Sequence, residues 1–265
     1  MEHGAFSRRG LSRKSNEDNY HISITDEQPA FLIVADGMGG HNAGDLASKM
    51  AVNHIAAYID EVRDKFKSTA EIIPAVLFSI EEANKKVFSL SQKEARLSGM
   101  GTTLTVAVFY EKKLYVAHIG DSRCYLIRKN TVRQITRDHS YVQELLDNGS
   151  ITKDEIDFHP KKNIITRALG TEERLRVDCY EDTLMEGDIV LLCTDGLTNY
   201  VNLEEYTEIL PWKSTMEKLV NVLGKQALAA GGTDDITIVA ARYKMIGKRG
   251  DAFAGQDTRR QIRTS

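Results

Sequence analysis

The sequence predicts a mixed α+β domain, and three observations carry that reading. Asp45 to Phe66 and Glu71 to Lys93 place apolar residues at helical spacing over long stretches. From Thr102 to Ile135 the period changes to short β runs, Thr102 to Tyr110, Leu114 to Ile119, Arg123 to Arg128 and Val132 to Ile135, joined by tight polar turns. Phe31 to Ala35 is fully apolar, β-branched and too short for a helix. It runs straight into Asp36 and into Gly37, Gly39 and Gly40, which let the backbone turn where side chains would clash.

Taken in order, Gly10 to Asn19 is a polar loop feeding a first strand, Asn19 to Ile24. The glycine loop after Ala35 opens onto the first helix, where Leu46, Met50, Ile55, Ile59 and Val62 share a face. In the second helix Ile72, Val76, Ile80, Ala83 and Val87 do the same, with Pro74 tolerated in the first turn. Between Asp138-His-Ser140 and Ala168-Leu-Gly170 the pattern becomes irregular. Short helices are expected there at Tyr141 to Asp147, stopped by Asn148-Gly149, and at Lys153 to Asp157, started by a capping box of Thr152 and Glu155. A long irregular insertion of this kind, residues 139–170, reads as a flap over a site. Val177 to Tyr180 and Asp188 to Thr194 resume the strands, Asn202 to Leu210 and Ser214 to Ala230 read as helices, and Gly231 to Thr237 opens a last strand. Residues 1–244 read as one domain, and 245–265, with Lys248, Arg249, Arg259, Arg260 and Arg263, as a basic disordered tail.

Acidic residues mark the strand ends. Asp36, Asp121 and Asp195 each terminate an apolar run, and Glu17-Asp18 and Asp234-Asp235 each precede one. A single Asp-Gly at a strand end is an ordinary turn; its repetition is not. Antiparallel pairing sets the end of one strand beside the start of the next, so these carboxylates are expected to gather along one edge of a sheet. Five or more carboxylates in a partly buried cleft repel one another, and cations relieve that repulsion most directly. All-oxygen donors without dense His or Cys spacing favour Mg²⁺ or Mn²⁺ over Zn²⁺. Arg13, four residues before Glu17, adds a guanidinium whose fork matches phosphate.

The 265 residues, 42% of them hydrophobic, are enough for a substantial core, and a net charge of −3 gives no basic field for nucleic acid or an anionic membrane. No apolar run approaches the roughly 20 residues of a membrane span, so a cytoplasmic protein is expected, and it is taken to be a monomer. Cys124, Cys179 and Cys193 are odd in number, lack C-x-x-C spacing and lie within strands, which suits reduced core thiols.

Seven blocks stand in this order: Arg13-x-x-Asn-Glu-Asp18, Asp36-Gly-Met-Gly-Gly-His41, Met100-Gly-Thr-Thr103, Gly120-Asp-Ser-Arg123, Asp138-His-Ser140, Thr194-Asp-Gly-Leu197 and Gly231-x-x-Asp-x-x-Thr237. Together they resemble the metal-dependent serine/threonine protein phosphatases of the type 2C (PPM) family, in a compact bacterial form, over roughly Gly4 to Tyr243. The resemblance implies a four-layer α-β-β-α sandwich, with two central antiparallel sheets flanked by helices. It implies that Asp36 bridges two metal ions, Mn²⁺ or Mg²⁺, and that the Gly37 carbonyl, Asp195 and Asp234 complete the protein ligands. Glu17 and Asp18 would hold metal-bound waters, Asp121 with Asp195 would supply a third metal site, and Arg13 would grip the substrate phosphate. The implied reaction is hydrolysis of phosphoserine and phosphothreonine in proteins by a metal-activated water attacking in line, without a phosphoenzyme. The implied partners are phosphoproteins, including a eukaryotic-like serine/threonine kinase and its substrates.

Two departures stand out. Met38 occupies the place of a histidine proposed as general acid in many eukaryotic members, which leaves His41, His139 or a metal-bound water for that role. Asp235 stands where the family usually has Asn, adding a negative charge beside Asp234. A nucleotide-binding reading of the glycine loop fails on spacing, since Asn42 falls where a third glycine belongs and no G-x-x-x-x-G-K-[ST] occurs. A cysteine-nucleophile phosphatase loop fails too, because Asn130, Met185 and Asn199 stand where its arginine belongs. A catalytically inactive phosphoprotein-binding module of the same fold is the remaining alternative, and it should have lost carboxylates that this chain keeps.

Overall fold

The computed structural model describes residues 1–25, 29–39, 43–66, 68–129, 131–204 and 214–244. Its strands are β1 (Glu2–Arg8), β2 (Asp18–Ser23), β3 (Ala30–Met38), β4 (Gly101–Thr102), β5 (Leu104–Tyr110), β6 (Lys113–Ile119), β7 (Arg123–Arg128), β8 (Thr131–Gln134), β9 (Asp178–Thr183), β10 (Ile189–Cys193) and β11 (Ile236–Arg242). The helices are α1 (Ala43–Val62), α2 (Ile72–Lys93), α3 (Tyr141–Asp147), α4 (Asp195–Thr198) and α5 (Met216–Ala229).

Two antiparallel sheets form the centre. One has the order β1-β11-β10-β7-β8 and the other β2-β3-β5-β6-β9, with β4 hanging on the end of β3. The apolar run at Phe31 is continuous because both faces of β3 are buried, as in any strand covered on two sides. Phe31, Ile33 and Ala35 face α1 and α2, packing with Ile55, Ile59 and Ile80. Ala30, Leu32 and Val34 face the other sheet, against Val190, Leu192 and Val239. On the far side Leu191 and Cys193 of β10 and Ile238 of β11 pack against Leu219 and Leu223 of α5. Helix, sheet, sheet, helix is the layer order that the sequence led us to expect.

Several local expectations need correction. Strand β1 was not expected from the sequence; it is an edge strand paired along β11, with Gly4 and Phe6 the residues it buries. A Cβ at Gly224 of α5 would lie 2.3 Å from the Phe6 ring, so that helix turns a bare backbone face to β1. Asp195 begins a short helix that the sequence did not suggest. The expected helix at Lys153 is a single 3₁₀ turn, Lys153–Glu155, where Glu155 accepts the Thr152 N–H at 2.7 Å. Of the three cysteines, Cys124 and Cys193 are core residues, whereas Cys179 on the edge strand β9 is exposed. Within the expected helix Asn202 to Leu210, residues 205–210 lie outside the described residues, as do His41 and the whole tail 245–265. No helix among the described residues is long and apolar enough to cross a membrane.

Candidate active site

The acidic residues meet at one end of the sandwich, and each arrives there by strand register. In the β2–β3 pair Asp18 lies directly opposite Asp36. Beyond Asp36 the backbone of β3 passes so close to the start of α1 that a Cβ at Gly37 would stand 2.1 Å from the Gly44 carbonyl oxygen. Only glycine fits this position, whatever its dihedral angles. Gly37 donates its N–H to the Glu17 carbonyl at 3.2 Å, and Ser48 of α1 donates to the same carbonyl at 2.6 Å, so Glu17 is held beside Asp36. The Asp36 main chain is fixed on its other side: its carbonyl accepts from Thr103 N–H and Thr102 Oγ1, both at 2.9 Å.

The second sheet supplies the rest. Asp195 follows β10, Asp234 precedes β11, and Asp121 sits in the turn from β6 to β7, where the chain crosses between the sheets. Thr194 stitches the two sides together. Its hydroxyl donates to Asp18 Oδ2 at 2.9 Å and accepts the Thr237 N–H at 3.0 Å. The expected gathering along one sheet edge is therefore corrected to a gathering across the matching edges of two stacked sheets. Sequence reasoning gave no role to Thr102, Thr103, Thr194 or Thr237; their only signal was membership of the motif blocks.

The electrostatics follow from this crowding. Burial, then the charges of Asp18, Asp195, Asp121 and Asp234, push the Asp36 carboxyl well above the usual carboxylate range. Asp18 and Asp121 are raised in the same way, burial being the largest cause in each. Asp195 is pushed up to about 6 by burial and by Asp234, against relief from side-chain hydrogen bonds with Asn199 and Asp36. Three carboxylate oxygens, Asp18 Oδ1, Asp121 Oδ1 and Asp195 Oδ1, are buried with no hydrogen-bond partner. Unpaired buried acceptors of this kind are costly, and hard oxygen donors with unused lone pairs suit Mg²⁺ or Mn²⁺. The residues present thus fit a divalent cation. As they are placed, no three His, Cys, Asp or Glu side chains among the described residues are arranged to hold an ion between them. The carboxylates turn to other partners instead, Asp195 Oδ2 to Asn199 at 3.0 Å and Asp234 to Arg13.

Arg13 and Asp235 explain each other. Arg13 Nη2 lies 2.6 Å and 2.7 Å from the two carboxylate oxygens of Asp234. The loop that carries it is pinned at both ends by Asp235, which accepts the Gly10 N–H at 2.9 Å and the Glu17 N–H at 2.8 Å on different oxygens. A carboxylate can accept both; an amide side chain offers only one acceptor oxygen. The charge added at Asp235 is spent on two backbone donors of the Arg13 loop. His139 is likewise engaged at both ring nitrogens: Nδ1 accepts the Gly120 N–H at 3.1 Å, and Nε2 is 3.3 Å from Asp178 Oδ2. Both of its ring nitrogens are thus held by the framework.

Beside Asp121 and Asp195 opens a cavity of about 470 Å³ that is also lined by Lys153, Ile156 and Lys162 of the 139–170 segment and by Glu204. Lys153 and Glu204, both in its lining, pair at 3.2 Å. The 139–170 segment is anchored at its upstream end by His139, whose N–H donates to the Gly120 carbonyl at 2.7 Å, and at its downstream end by paired Thr102–Leu169 backbone bonds at 2.9 Å.

Comparison with known proteins gives the same picture. The family described as Protein phosphatase 2C matches residues 9–231. The chain is 40% identical over 250 residues to the serine/threonine phosphatase stp of Listeria innocua, covering 92% of this chain and 96% of the relative. Among solved structures it superposes on the serine/threonine phosphatase Stp1 from Staphylococcus aureus with a TM-score of 0.82 at 33% identity, covering 92% and 96% of the two chains. It superposes on the catalytic domain of the phosphatase PstP in complex with 2 manganese ions with a TM-score of 0.75 at 34% identity, covering 91% and 98%. Carboxylates gathered at one end of two stacked sheets, in the same order along the chain as the sequence motifs, are thus joined by likeness over nearly the whole length, and the chain belongs to the protein phosphatase 2C family.

Proposed function

We propose that this protein hydrolyses phosphoserine and phosphothreonine in other proteins with the help of divalent cations, Mn²⁺ or Mg²⁺. The observation that carries the reading is the set of three buried, unpartnered carboxylate oxygens on Asp18, Asp121 and Asp195, converging from both sheets around Asp36. Asp36, the Gly37 carbonyl, Asp195 and Asp234 would ligate two ions, and Asp121 with Asp195 a third. Such ions, when bound, acidify water and offset the negative charge of phosphoryl oxygens.

The chain's own residues do the remainder. Glu17 and Asp18 orient water by accepting its hydrogen bonds. Arg13 leaves Asp234 and forks onto two phosphoryl oxygens, which holds the phosphorus for in-line attack by water and departure of the serine or threonine oxygen. No phosphoenzyme is required, since water is the attacking group, and both core cysteines point into packed layers. We take residues 1–244 as the catalytic unit, with 139–170 as a flap over the cleft, and a eukaryotic-like kinase with its substrates as the opposing partners. An inactive phosphoprotein-binding module is disfavoured because every one of these carboxylates is retained.

The test is hydrolysis of p-nitrophenyl phosphate and of a phosphothreonine peptide in Mn²⁺ and in EDTA, with Asp36→Asn alongside. Turnover is expected only with metal, and Asp36→Asn is expected to lower it by at least about 100-fold while still melting cooperatively. Metal-independent turnover, or wild-type rates in Asp36→Asn, would overturn the mechanism. A folded wild type with no turnover on either substrate would favour the binding module.

A further inference from the structure

Two of the motif blocks, Met100-Gly-Thr-Thr103 and Gly120-Asp-Ser-Arg123, contain hydroxyls that the reaction as read above leaves unused. Thr103 and Ser122 are both fully buried, and their hydroxyl oxygens lie 2.7 Å apart. Thr103 Oγ1 also accepts the Asp36 N–H at 2.8 Å, while the Thr103 N–H returns to the Asp36 carbonyl at 2.9 Å. With the Asp36 N–H on one lone pair, the Thr103 hydroxyl still has a proton and a second lone pair, so either oxygen can be the donor in its hydrogen bond with Ser122. The same side chain presses on Gly120. A Cβ there would stand 2.6 Å from Thr103 Cγ2, and a φ of +103° reserves the position for glycine in any case. One threonine therefore touches the strand that carries Asp36 and, on both sides of Asp121, the turn that carries the third carboxylate.

We propose that Thr103 is a positioning residue that fixes Asp121 relative to Asp36, so that the third carboxylate and the core carboxylates bind divalent cations as one unit. The proposal rests on the cation-binding reading above. Thr103 touches no ligating oxygen. It acts through the Asp36 main chain and through Ser122, the neighbour of Asp121. His139 grips the Gly120 backbone through two hydrogen bonds at 3.1 Å and 2.7 Å, so the turn answers to Thr103 and His139 together. Valine has nearly the shape of threonine and leaves the Asp36 N–H and the Ser122 hydroxyl buried without their partner. Serine restores the hydroxyl.

Calorimetric titration of the full chain with Mn²⁺, on wild type, Thr103→Val, Thr103→Ser, Ser122→Ala, Asp121→Asn and the Thr103→Val/Asp121→Asn double variant, separates the outcomes. Thr103→Val is expected to bind Mn²⁺ about 10-fold more weakly, the low end for loss of a residue that orients a ligand, with Thr103→Ser close to wild type. In the Asp121→Asn background the same substitution is expected to cost less than about threefold, because its target is gone. Wild-type affinity in Thr103→Val, or an equal loss with and without Asp121, overturns the proposal. A wild type that binds no Mn²⁺ overturns the cation reading itself. If Thr103→Val shows no cooperative melt in EDTA, Ser122→Ala decides, since it deletes only the hydroxyl pair: a loss of about threefold in Mn²⁺ affinity supports the proposal and no loss overturns it.

Discussion

Arg13 has two partners available and can serve only one at a time. Its guanidinium lies on Asp234, with side chains 42% and 27% exposed, and hydrogen bonding to Asp234 raises its pKa above the ordinary arginine value. The proposed reaction gives Asp234 to a cation and Arg13 to the substrate phosphate, so ion binding and phosphate binding should each favour the other through this one side chain. Arg13→Ala should then act in opposite directions on the two ligands. Mn²⁺ loses a competitor for Asp234 and binds up to about fivefold more tightly, the limit for a partly exposed ion pair worth at most about 1 kcal/mol. Inorganic phosphate loses charge-assisted hydrogen bonds worth about 1.5 kcal/mol or more, so its inhibition constant should rise at least about 10-fold. An unchanged phosphate inhibition constant would remove Arg13 from the substrate site.

Elements were legible where a local pattern sufficed. β3 and β10 announced themselves because strands buried on both faces read as unbroken apolar runs, and their terminal aspartates came with them. β1 was illegible because an edge strand that buries only Gly4 and Phe6 has almost no pattern. The threonines that hold Asp18 and Asp36 were illegible for a different reason. Thr194 meets Asp18 across 176 residues and Thr103 meets Asp36 across 67, and no local rule predicts which hydroxyl lands beside which carboxylate. The irregular character of residues 139–170 was legible in the sequence, but the contacts that anchor the segment were not. Asn84, inside α2, accepts the Gly170 N–H at 2.7 Å and donates to the Glu172 and Glu173 carbonyls at 3.0 Å and 3.2 Å. It sits in a helix whose periodicity says only that the position is buried. Asn84→Ala should free that end of the flap, costing about 1–3 kcal/mol through the unpaired buried Gly170 N–H. Hydrogen exchange should accelerate at 168–173 and stay unchanged in α5. Equal acceleration throughout would mean that Asn84 supports the whole fold and not the flap.

For the whole molecule, two buried populations titrate against each other. His118 is fully buried between Thr105 and the Arg137 carbonyl, and burial lowers its pKa to about 3. A group depressed in the folded state stabilises the protein above its unfolded pKa, about 6.5, and that stability drains away as pH falls toward 3. The carboxylates do the reverse. Asp18, Asp36, Asp121 and Asp195 are raised in the folded state, Asp195 to about 6, so without metal their contribution is full below about pH 4 and is lost as pH rises through the raised values. A cation that takes these oxygens must displace any proton there, at about 1.4 kcal/mol per pH unit below the folded pKa. The gain in melting temperature on adding Mn²⁺ to EDTA-treated protein should therefore be larger at pH 7.5 than at pH 5. Asp195, raised to about 6, contributes on the order of 1 kcal/mol to that difference, or a few °C for a domain of this size, and the other raised carboxylates enlarge it. His118 drops out of the comparison, because with its pKa lowered to about 3 it stays neutral in the folded protein at both pH values. A Mn²⁺-induced shift that is equal at the two pH values, or larger at pH 5, would mean that the ions do not sit on these carboxylates, and the cluster would need another explanation.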